Sequence, residues 1–593
     1  MKLKIQALIG IILVLIVIAA GCGKIYATQT TTLPSTKVIT PTSTIATLSI
    51  ATTTSTITST AAISIPATDY SEIVTFPDPA LEQAIRDAIG KPTGDIYQSD
   101  LDKLTDFSAI NMCTDNFHDL TGIERCVNLQ SLEIQALSMN IDLTPLESLH
   151  KLKSLQLFTS ETDIAPLESL TGLTSLNLDA QQTTDITPLS KLTNLVDLSL
   201  VVGFSEPVDL SSLQNLHNLK SLSISGSQTT DLSFLSNLPD LTYLSIYDDE
   251  QVTDISPIKN LHNLTQITLD FLKAGPDYSI LSACTNLTDI SIMADNTVNI
   301  SWIKNLTQLS NLSLESDGIT DISPLANLKQ MATLDLESNA ISDISALANL
   351  TELSKLILSD NNVSDISPLA GLSKLTDLEM FGNKAKNISA LGNLLQLQNL
   401  DLSSNSVTDI SPLASLTGLT QLDIAGNSIA DISALSKLIN LTSLEAQGNN
   451  IDDISSVTNL TALQTLRLDS NLISNAASIA NLTALQSLSI DGNQIADISF
   501  LANLTAIQNL SLGNNHVTDI FSLSKLTQLQ SLDLGNNQIT DISPLVNNKG
   551  LGKGSTVLGL DSNPLSDLSK STYMPELAAR GVAFNVTIGG PCT

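Results

Sequence analysis

An α/β solenoid, a curved parallel β-sheet backed by short 3-10 or helical convex turns, is the fold class this sequence predicts. Three observations predict it. A unit of 22 residues, LSLESDGITDISPLANLKQMAT at Leu312–Thr333, returns with starts at Leu334, Leu356, Leu378, Leu400, Leu422, Leu444, Leu466, Leu488, Leu510 and Leu532. Each copy opens on an L-x-L-like triplet, whose alternation marks a short strand with one buried face. From Leu334 onward each copy also carries Asn five residues after its first Leu. Fixed self-similarity at this period means stacked repeats. A chain of 593 residues would ordinarily divide into several globular domains. A stack escapes that limit, because each repeat packs only on its neighbours.

The first element is an export signal. Residues 1–22 read MKLKIQALIGIILVLIVIAAGC, with Lys2 and Lys4 ahead of the apolar run Ile5–Ala20. That run is short for a membrane-spanning helix, which needs about 20 residues. Its end, Ala19-Ala20-Gly21-Cys22, resembles the lipobox of bacterial lipoproteins. The resemblance implies that Cys22 carries the lipid and begins the mature chain; Ala19 departs from the usual Leu. Acyl chains hold a protein to a bilayer at about 0.8 kcal/mol per buried CH₂. The alternative is an ordinary signal peptide, or an uncleaved anchor, with an incidental Cys. By the same resemblance Gly23, where Asp would mark inner-membrane retention, leaves the chain free to be sorted outward.

Residues 23–73 form the next segment, rich in Thr and Ser, as in Thr52–Thr60. Such composition cannot bury enough apolar area to offset chain entropy, so it reads as an extended tether with a reach on the order of 160 Å. Order is expected from Val74. Asp78 can cap a helix over Ala80–Ile89 with Pro79 at its first position, Leu81, Ile85 and Ile89 form its apolar stripe, and Gly90 ends it. This is an N-terminal helical cap over the open end of the stack, with a first degenerate repeat, over residues 74–131. Repeats fill 132–545. The earlier ones start strands at Leu132, Leu155, Leu176, Leu198, Leu222, Leu244, Ile267 and Ile290, vary in spacing and lack the Asn. At the end, over 546–593, Leu558 and Leu560 open a last strand, Asn563 closes its turn, Thr572–Gly581 reads as a capping helix, and the tail beyond is loose.

Within one unit, Leu334 and Leu336 point inward and Asp335 outward, and Ile341 and Ile344 return to the core. Asn amides both donate and accept. Stacked Asn339, Asn361, Asn383, Asn405, Asn427, Asn449, Asn471, Asn493, Asn515, Asn537 and Asn563 therefore predict an internal ladder. Ser323-Pro324, or Asp321, starts a helical turn, with Ser as cap and Pro at the first position. The length left is too short for a full α-helix, which predicts 3-10 turns. Some 20 strands at about 4.8 Å would give a sheet on the order of 90 Å long.

The unit fits the leucine-rich repeat consensus L-x-x-L-x-L-x-x-N-x-L. Its I-x-D-I-S-P-L-x-x-L module, at Ile319–Leu328, Val363–Leu372 and Val407–Leu416, with a shorter match at Ile539–Leu545, resembles the 22-residue repeats of internalins and related bacterial surface proteins. The resemblance spans roughly residues 75–584. It implies a leucine-rich repeat solenoid that binds proteins on its concave sheet. Internalin contacts lie outside the repeat consensus, so none is transferred. A cell-wall sorting motif, present in many internalins, is absent, and a lipidated Cys22 would replace it.

The concave face is set by residues between the inward leucines: Asp335, Ile357, Glu379, Asp401, Asp423, Glu445, Arg467, Ser489, Ser511 and Asp533. This is an acidic stripe with one Arg. Phe158, Tyr247, Phe271 and Phe381 flank it. Aromatic and Arg anchors dominate interface energetics, so Tyr247 and Phe381 beside Glu379 are the candidate partner contacts. The competing reading is that single exposed apolar residues are ordinary.

The net charge of −33 argues against binding nucleic acid or an anionic membrane surface through a basic patch. It also has a plain reading as solubility. Aromatics are only 3%, so Leu and Ile must fill the core. Cys22, Cys113, Cys126, Cys284 and Cys592 are too few for a disulfide scaffold. Cys126 and Cys284 share one repeat phase, as buried thiols would, while a Cys113–Cys126 bridge stays open. No EF-hand spacing, H-E-x-x-H, G-x-S-x-G or C-x-x-C occurs, and three of the five His fall at one repeat position. GLGKGST at Gly550–Thr556 is no phosphate loop, because Gly554 stands where Ser or Thr is required. The expectation is a non-catalytic, monomeric, surface-tethered module without cofactor or metal, taking a protein or a glycan on its concave face. A cell-envelope spacer without a ligand is the alternative.

Overall fold

The computed structural model describes residues 72–109, 117–136, 141–203, 206–247, 251–270, 276–293, 299–315, 318–552 and 556–584. Cys22 and the tether up to residue 71 lie outside the described residues, as do Cys113, Phe271 and Cys592. The described chain forms two compact units that meet at Glu161 and Thr162 in sequence.

In the first unit the cap helix runs Pro79–Ile89. Asp78 is its cap: one carboxylate oxygen accepts from the N–H groups of Ala80 at 2.8 Å and Leu81 at 3.1 Å. The other accepts from His118 N at 2.6 Å and Asp119 N at 3.2 Å, tying the helix to the chain ahead of the first turn. Burial alone would raise this carboxyl. The N–H groups of His118, Leu81, Ala80 and Asp119 outweigh it and hold the group below the usual carboxylate range. Leu81 and Ile85 are sealed in the core, whereas Ile89 is only half-buried. Gly90 ends the helix at φ 66°, a conformation costly for any residue with a Cβ. A two-stranded antiparallel pair, Ile73–Val74 with Ile96–Tyr97, is an addition the sequence did not signal. The parallel ladder then runs through Asp106–Ala109, Ser131–Ala136 and Ser154–Thr159.

In the second unit parallel strands follow one another in sequence order, from Ser175–Ala180 to Val582–Phe584. In the regular repeats the register steps by one repeat: Leu312 pairs with Leu334, and Leu334 with Leu356. Each repeat sends one set of side chains inward; in one of them Leu334, Leu336, Ile341, Ile344, Leu347, Leu350 and Leu353 are all essentially inaccessible. Each such burial contributes about 1.5–3 kcal/mol, so the stack is held by repetition rather than by any one large cluster.

The two halves of the repeat region differ in strand length for a local reason. Strands that lack the Asn run five or six residues, as in Tyr243–Tyr247 and Ser175–Ala180. Strands that carry it run three, as in Thr333–Asp335. In the short-stranded repeats the residue just before the Asn takes a positive φ: Ser338, Asp360, Gly382, Ser404, Gly426, Gly448, Ser470, Gly492, Asn514, Asn536 and Ser562 all do. That left-handed step swings the chain off the strand, and the Asn fills the corner.

The turns opposite the sheet are 3-10, as in Ser323–Asn327. Their cap corrects one expectation. The Ser side chain is not the cap; the Asp two residues ahead is. Asp321 Oδ1 accepts from Ser323 N at 2.8 Å, and Asp343, Asp365, Asp409, Asp431 and Asp497 repeat the contact on their own serines. Asp is preferred because its carboxylate reaches back to the second N–H while the chain enters the turn. Those N–H bonds, with help from the Ser hydroxyls, hold the six carboxyls below their usual value.

The end of the chain corrects another. Thr556–Gly559 is not the last strand: after the helix Met574–Ala579, Val582–Phe584 adds one more, with Leu558 opposite Phe584. The helix supplies Arg580, whose Nη1 donates to Val546 O at 2.7 Å and whose Nη2 donates to Leu551 O at 3.0 Å, satisfying carbonyls at the end of the stack. Cys126 and Cys284 are fully buried at the ends of their 3-10 turns. Burial, with the charge of Glu124, pushes the Cys126 thiol up to about 12, and burial pushes Cys284 up to about 11. Both are inert packing groups on these grounds. The bridge to Cys113 falls outside the described residues.

Candidate functional site

The site is built on the outward face of the regular strands in the second unit, the face expected to be concave. Strand register places Asp335, Ile357, Glu379, Asp401, Asp423, Glu445 and Arg467 side by side on successive strands, about 4.8 Å apart. A second row runs beside it, two residues further along each strand: Glu337, Ser359, Phe381, Ser403, Ala425, Gln447 and Asp469. Phe381 is exposed at 40%, while its flanking Leu378 and Met380 are sealed. The structure therefore brings Phe381 together with Glu379 and Asp401. Tyr247 lies on a different stretch of sheet, in register with Ser225 and Asp270, and is half-buried. Six strand spacings separate it from Phe381, about 29 Å, so the two do not share a contact point.

Several carboxylates of the stripe hold the chain's own backbone. Asp335 Oδ1 accepts from Glu337 N at 3.0 Å, Asp401 Oδ1 from Ser403 N at 2.7 Å, and Asp423 Oδ1 from Ala425 N at 2.8 Å. Where Ser489 and Ser511 replace the acid, the same N–H is served by an Asp of the preceding repeat: Asp469 takes Asp491 N at 2.9 Å, and Asp491 takes Gly513 N at 2.6 Å. The acidity of this face is thus partly structural, which the sequence reading missed. The signal was present: Asp recurs two residues ahead of the position whose N–H needs an acceptor.

Cations sit near both ends of the run. Lys355 Nζ lies 3.4 Å from Glu379, and Arg467 lies 3.5 Å from Glu445 and 3.7 Å from Asp469. All three pairs are solvent-reachable and contribute little to stability. Between them, burial and the charges of Asp401 and Glu445 push Asp423 up to about 6. Burial, then the neighbouring charges of Asp335, Glu337 and Asp270, push Glu315 up to about 7. Burial is likewise the first cause that raises Asp335 and Glu337. Glu315 stands one repeat before Glu337 in the same row, where the 22-residue period already places it. Among the described residues no set of His, Cys, Asp and Glu is arranged to hold a metal ion.

Behind this face the Asn ladder is continuous. Asn339 Nδ2 donates to Leu314 O at 2.7 Å and Leu336 O at 3.1 Å, and its Oδ1 accepts from Ile319 N at 2.8 Å. The same contacts recur from Asn361 through Asn537 and close at Asn563, whose Oδ1 accepts from Ile539 N at 3.0 Å. Each Asn ties its own turn to the preceding one, so the sheet face is backed by a continuous hydrogen-bonded support.

Comparison with known proteins agrees with this architecture. A family model described as leucine-rich repeats (2 copies) matches residues 217–260, 396–437, 461–503, 483–520 and 505–547. A model of the leucine-rich repeat domain of endo-β-N-acetylglucosaminidase EndoS matches residues 76–200. No curated protein is matched. Among solved structures, a leucine-rich repeat protein of Leptospira interrogans is 22% identical, covering 72% of this chain and 99% of its own, with a TM-score of 0.53. The ectodomain of the Arabidopsis receptor kinase HAESA, in complex with an IDA peptide hormone, is 22% identical over 80% of this chain and 86% of its own, with a TM-score of 0.55. An internalin of Listeria monocytogenes is 25% identical over 83% of this chain and 95% of its own, with a TM-score of 0.37. The family matches lie on the sheet and turn repeats described above, and the chain carries a leucine-rich repeat solenoid, a fold it shares with the Leptospira protein and the HAESA ectodomain.

Proposed function

We propose that the chain is a non-catalytic cell-surface module that holds a protein partner on the open face of its regular repeats. The observation that carries this reading is Phe381, an exposed aromatic in a row of small and polar residues, set among acids on a rigid sheet. A large apolar side chain facing water has no role in the stack, and aromatic anchors are where interface energy concentrates. Repeat scaffolds of this class serve binding, and HAESA binds a peptide hormone in its solved complex. Phe381→Ala with Glu379→Ala is expected to lower capture of a partner from the cell envelope or from neighbouring cells by at least about tenfold, with the melting temperature nearly unchanged. Undiminished capture would favour the spacer reading.

Attachment through a lipid on Cys22 completes the proposal, supported by the lipobox-like Ala19–Cys22 run. The long Thr/Ser segment would then carry the repeats clear of the membrane, facing outward. Cys22→Ser is expected to move the protein from the membrane fraction to the soluble fraction. Unchanged partitioning would remove the lipid anchor from this account.

A further inference from the structure

A cavity of about 500 Å³ lies beside the sheet in the second unit, where the chain leaves Asp197–Val202, Ser221–Ser225 and Tyr243–Tyr247 and enters the 3-10 turns. That volume falls within the roughly 300–1,000 Å³ of small-ligand sites. Its cause is an insertion. Leu198 stands 15 residues before its turn leucine, Leu213, whereas Leu176 and Leu222 stand 13 before Leu189 and Leu235. The extra chain brings Pro207 to one wall, and Val208 N donates to Ser227 O at 2.9 Å, which ties the insertion to the next repeat.

A second observation falls at the same place. Gln228, in the lining, holds a φ of 48°. Among the described residues, every other non-glycine residue with positive φ is a Ser, Asp or Asn at the corner before a ladder Asn, where a short polar side chain tolerates the left-handed region. Gln228 has neither the position nor the short side chain. Such strain persists only where the surrounding structure enforces it, and it gathers at ligand sites.

The lining selects the ligand. Asp209 and Asp231 stand one repeat apart, Gln228, Thr230 and Gln251 complete the polar wall, and no Lys or Arg lines it. An anionic ligand therefore meets two carboxylates and no counter-charge. Each carboxylate also serves its own turn: Asp209 Oδ1 accepts from Ser211 N at 2.8 Å, and Asp231 Oδ1 from Ser233 N at 2.8 Å. A carboxylate has about four acceptor sites, so some remain for a ligand. Among the described residues no further His, Cys, Asp or Glu joins the two to hold a metal ion. The amides and the Thr230 hydroxyl donate as well as accept, whereas an organic cation offers donors alone. A sugar offers both. Its hydroxyls match donors and acceptors in one wall, and the C–H face of its ring fits the ring of Pro207.

We propose that this cavity binds a neutral oligosaccharide, at a site apart from the protein-binding face. Asp209 and Asp231 accept from sugar hydroxyls. The Gln228 and Gln251 amides and the Thr230 hydroxyl bridge neighbouring hydroxyls, and a sugar ring packs on Pro207. The left-handed backbone at Gln228 is what sets its amide in that wall.

The test is saturation-transfer NMR on the full chain, with four neutral tetrasaccharides as probes: α-1,4- and β-1,4-linked glucose, β-1,4-linked mannose and β-1,4-linked N-acetylglucosamine. Spermidine and inorganic phosphate are the comparisons. At least one tetrasaccharide is expected to bind at millimolar concentration, and spermidine and phosphate are not. Thr230 is exposed, so Thr230→Trp fills the mouth of the cavity and leaves the core alone; it should weaken the sugar's affinity by at least about tenfold with an unchanged melting temperature. Gln228→Gly removes the amide and relieves the left-handed backbone, so it should weaken binding comparably while melting no lower than the parent. A purely structural role for Gln228 would leave binding intact, and that result overturns the site. So does full affinity in Thr230→Trp, spermidine bound in place of the sugars, or no tetrasaccharide bound.

Discussion

Asp423 shows what neighbouring strands do to a single side chain. On an isolated strand it would be an ordinary carboxylate; in the stack it lies between Asp401 and Glu445, and burial brings it to about 6. A carboxyl whose folded value lies above its unfolded value, near 4, binds a proton on folding between those two pH values. Its contribution is therefore most favourable below about pH 4 and is lost as pH rises through 6. Asp423→Asn keeps the Oδ1 acceptor for Ala425 N and removes the charge. The variant is expected to melt higher at pH 7.5, by no more than about 1 kcal/mol for a side chain that solvent still reaches, and level with the parent at pH 4. A lower melting temperature at pH 7.5 would sink this account. Asp321 and its equivalents on the turns have the opposite sign: their carboxyls lie below the usual value, so what they contribute is present at neutral pH and lost in acid.

At the scale of the element, the corner formed by a left-handed residue and an Asn decides the repeat. It cuts the strand to three residues and hands the support of the next turn to a side chain. Asn471 illustrates the load: its Nδ2 donates to Ala446 O, Leu468 O and Asp469 O, and its Oδ1 accepts from Ile451 N at 3.0 Å. Asn471→Ala orphans buried backbone groups in two repeats and is expected to cost about 2–3 kcal/mol. The loss should appear as a lower denaturation midpoint and as faster hydrogen exchange at the Ile451 amide. Exchange at Ile451 equal to the parent's would remove the ladder from the energetics. The earlier repeats show the alternative: without Asn the strand simply runs on, which buries residues such as Ala180 and Val202 at the point where the corner would form.

For the whole molecule, the charge of −33 separates into populations that composition cannot distinguish. Aspartates on the turns cap 3-10 segments, aspartates on the sheet face cap the corner, and Glu379 on the same face pairs instead with Lys355. The sequence by itself determined the stack, its register, the 3-10 turns, the cap helix with Asp78 and Gly90 at its ends, and the Asn ladder. These depend on contacts one repeat away or less, and a fixed period carries that distance in the sequence. It also named Phe381 and Glu379. The tertiary structure alone decided which acids are already engaged, that Tyr247 stands apart from Phe381, and that Val582–Phe584 closes the sheet. Each of those is set by what a neighbouring strand offers at one point, which has no consequence until the strands are laid side by side.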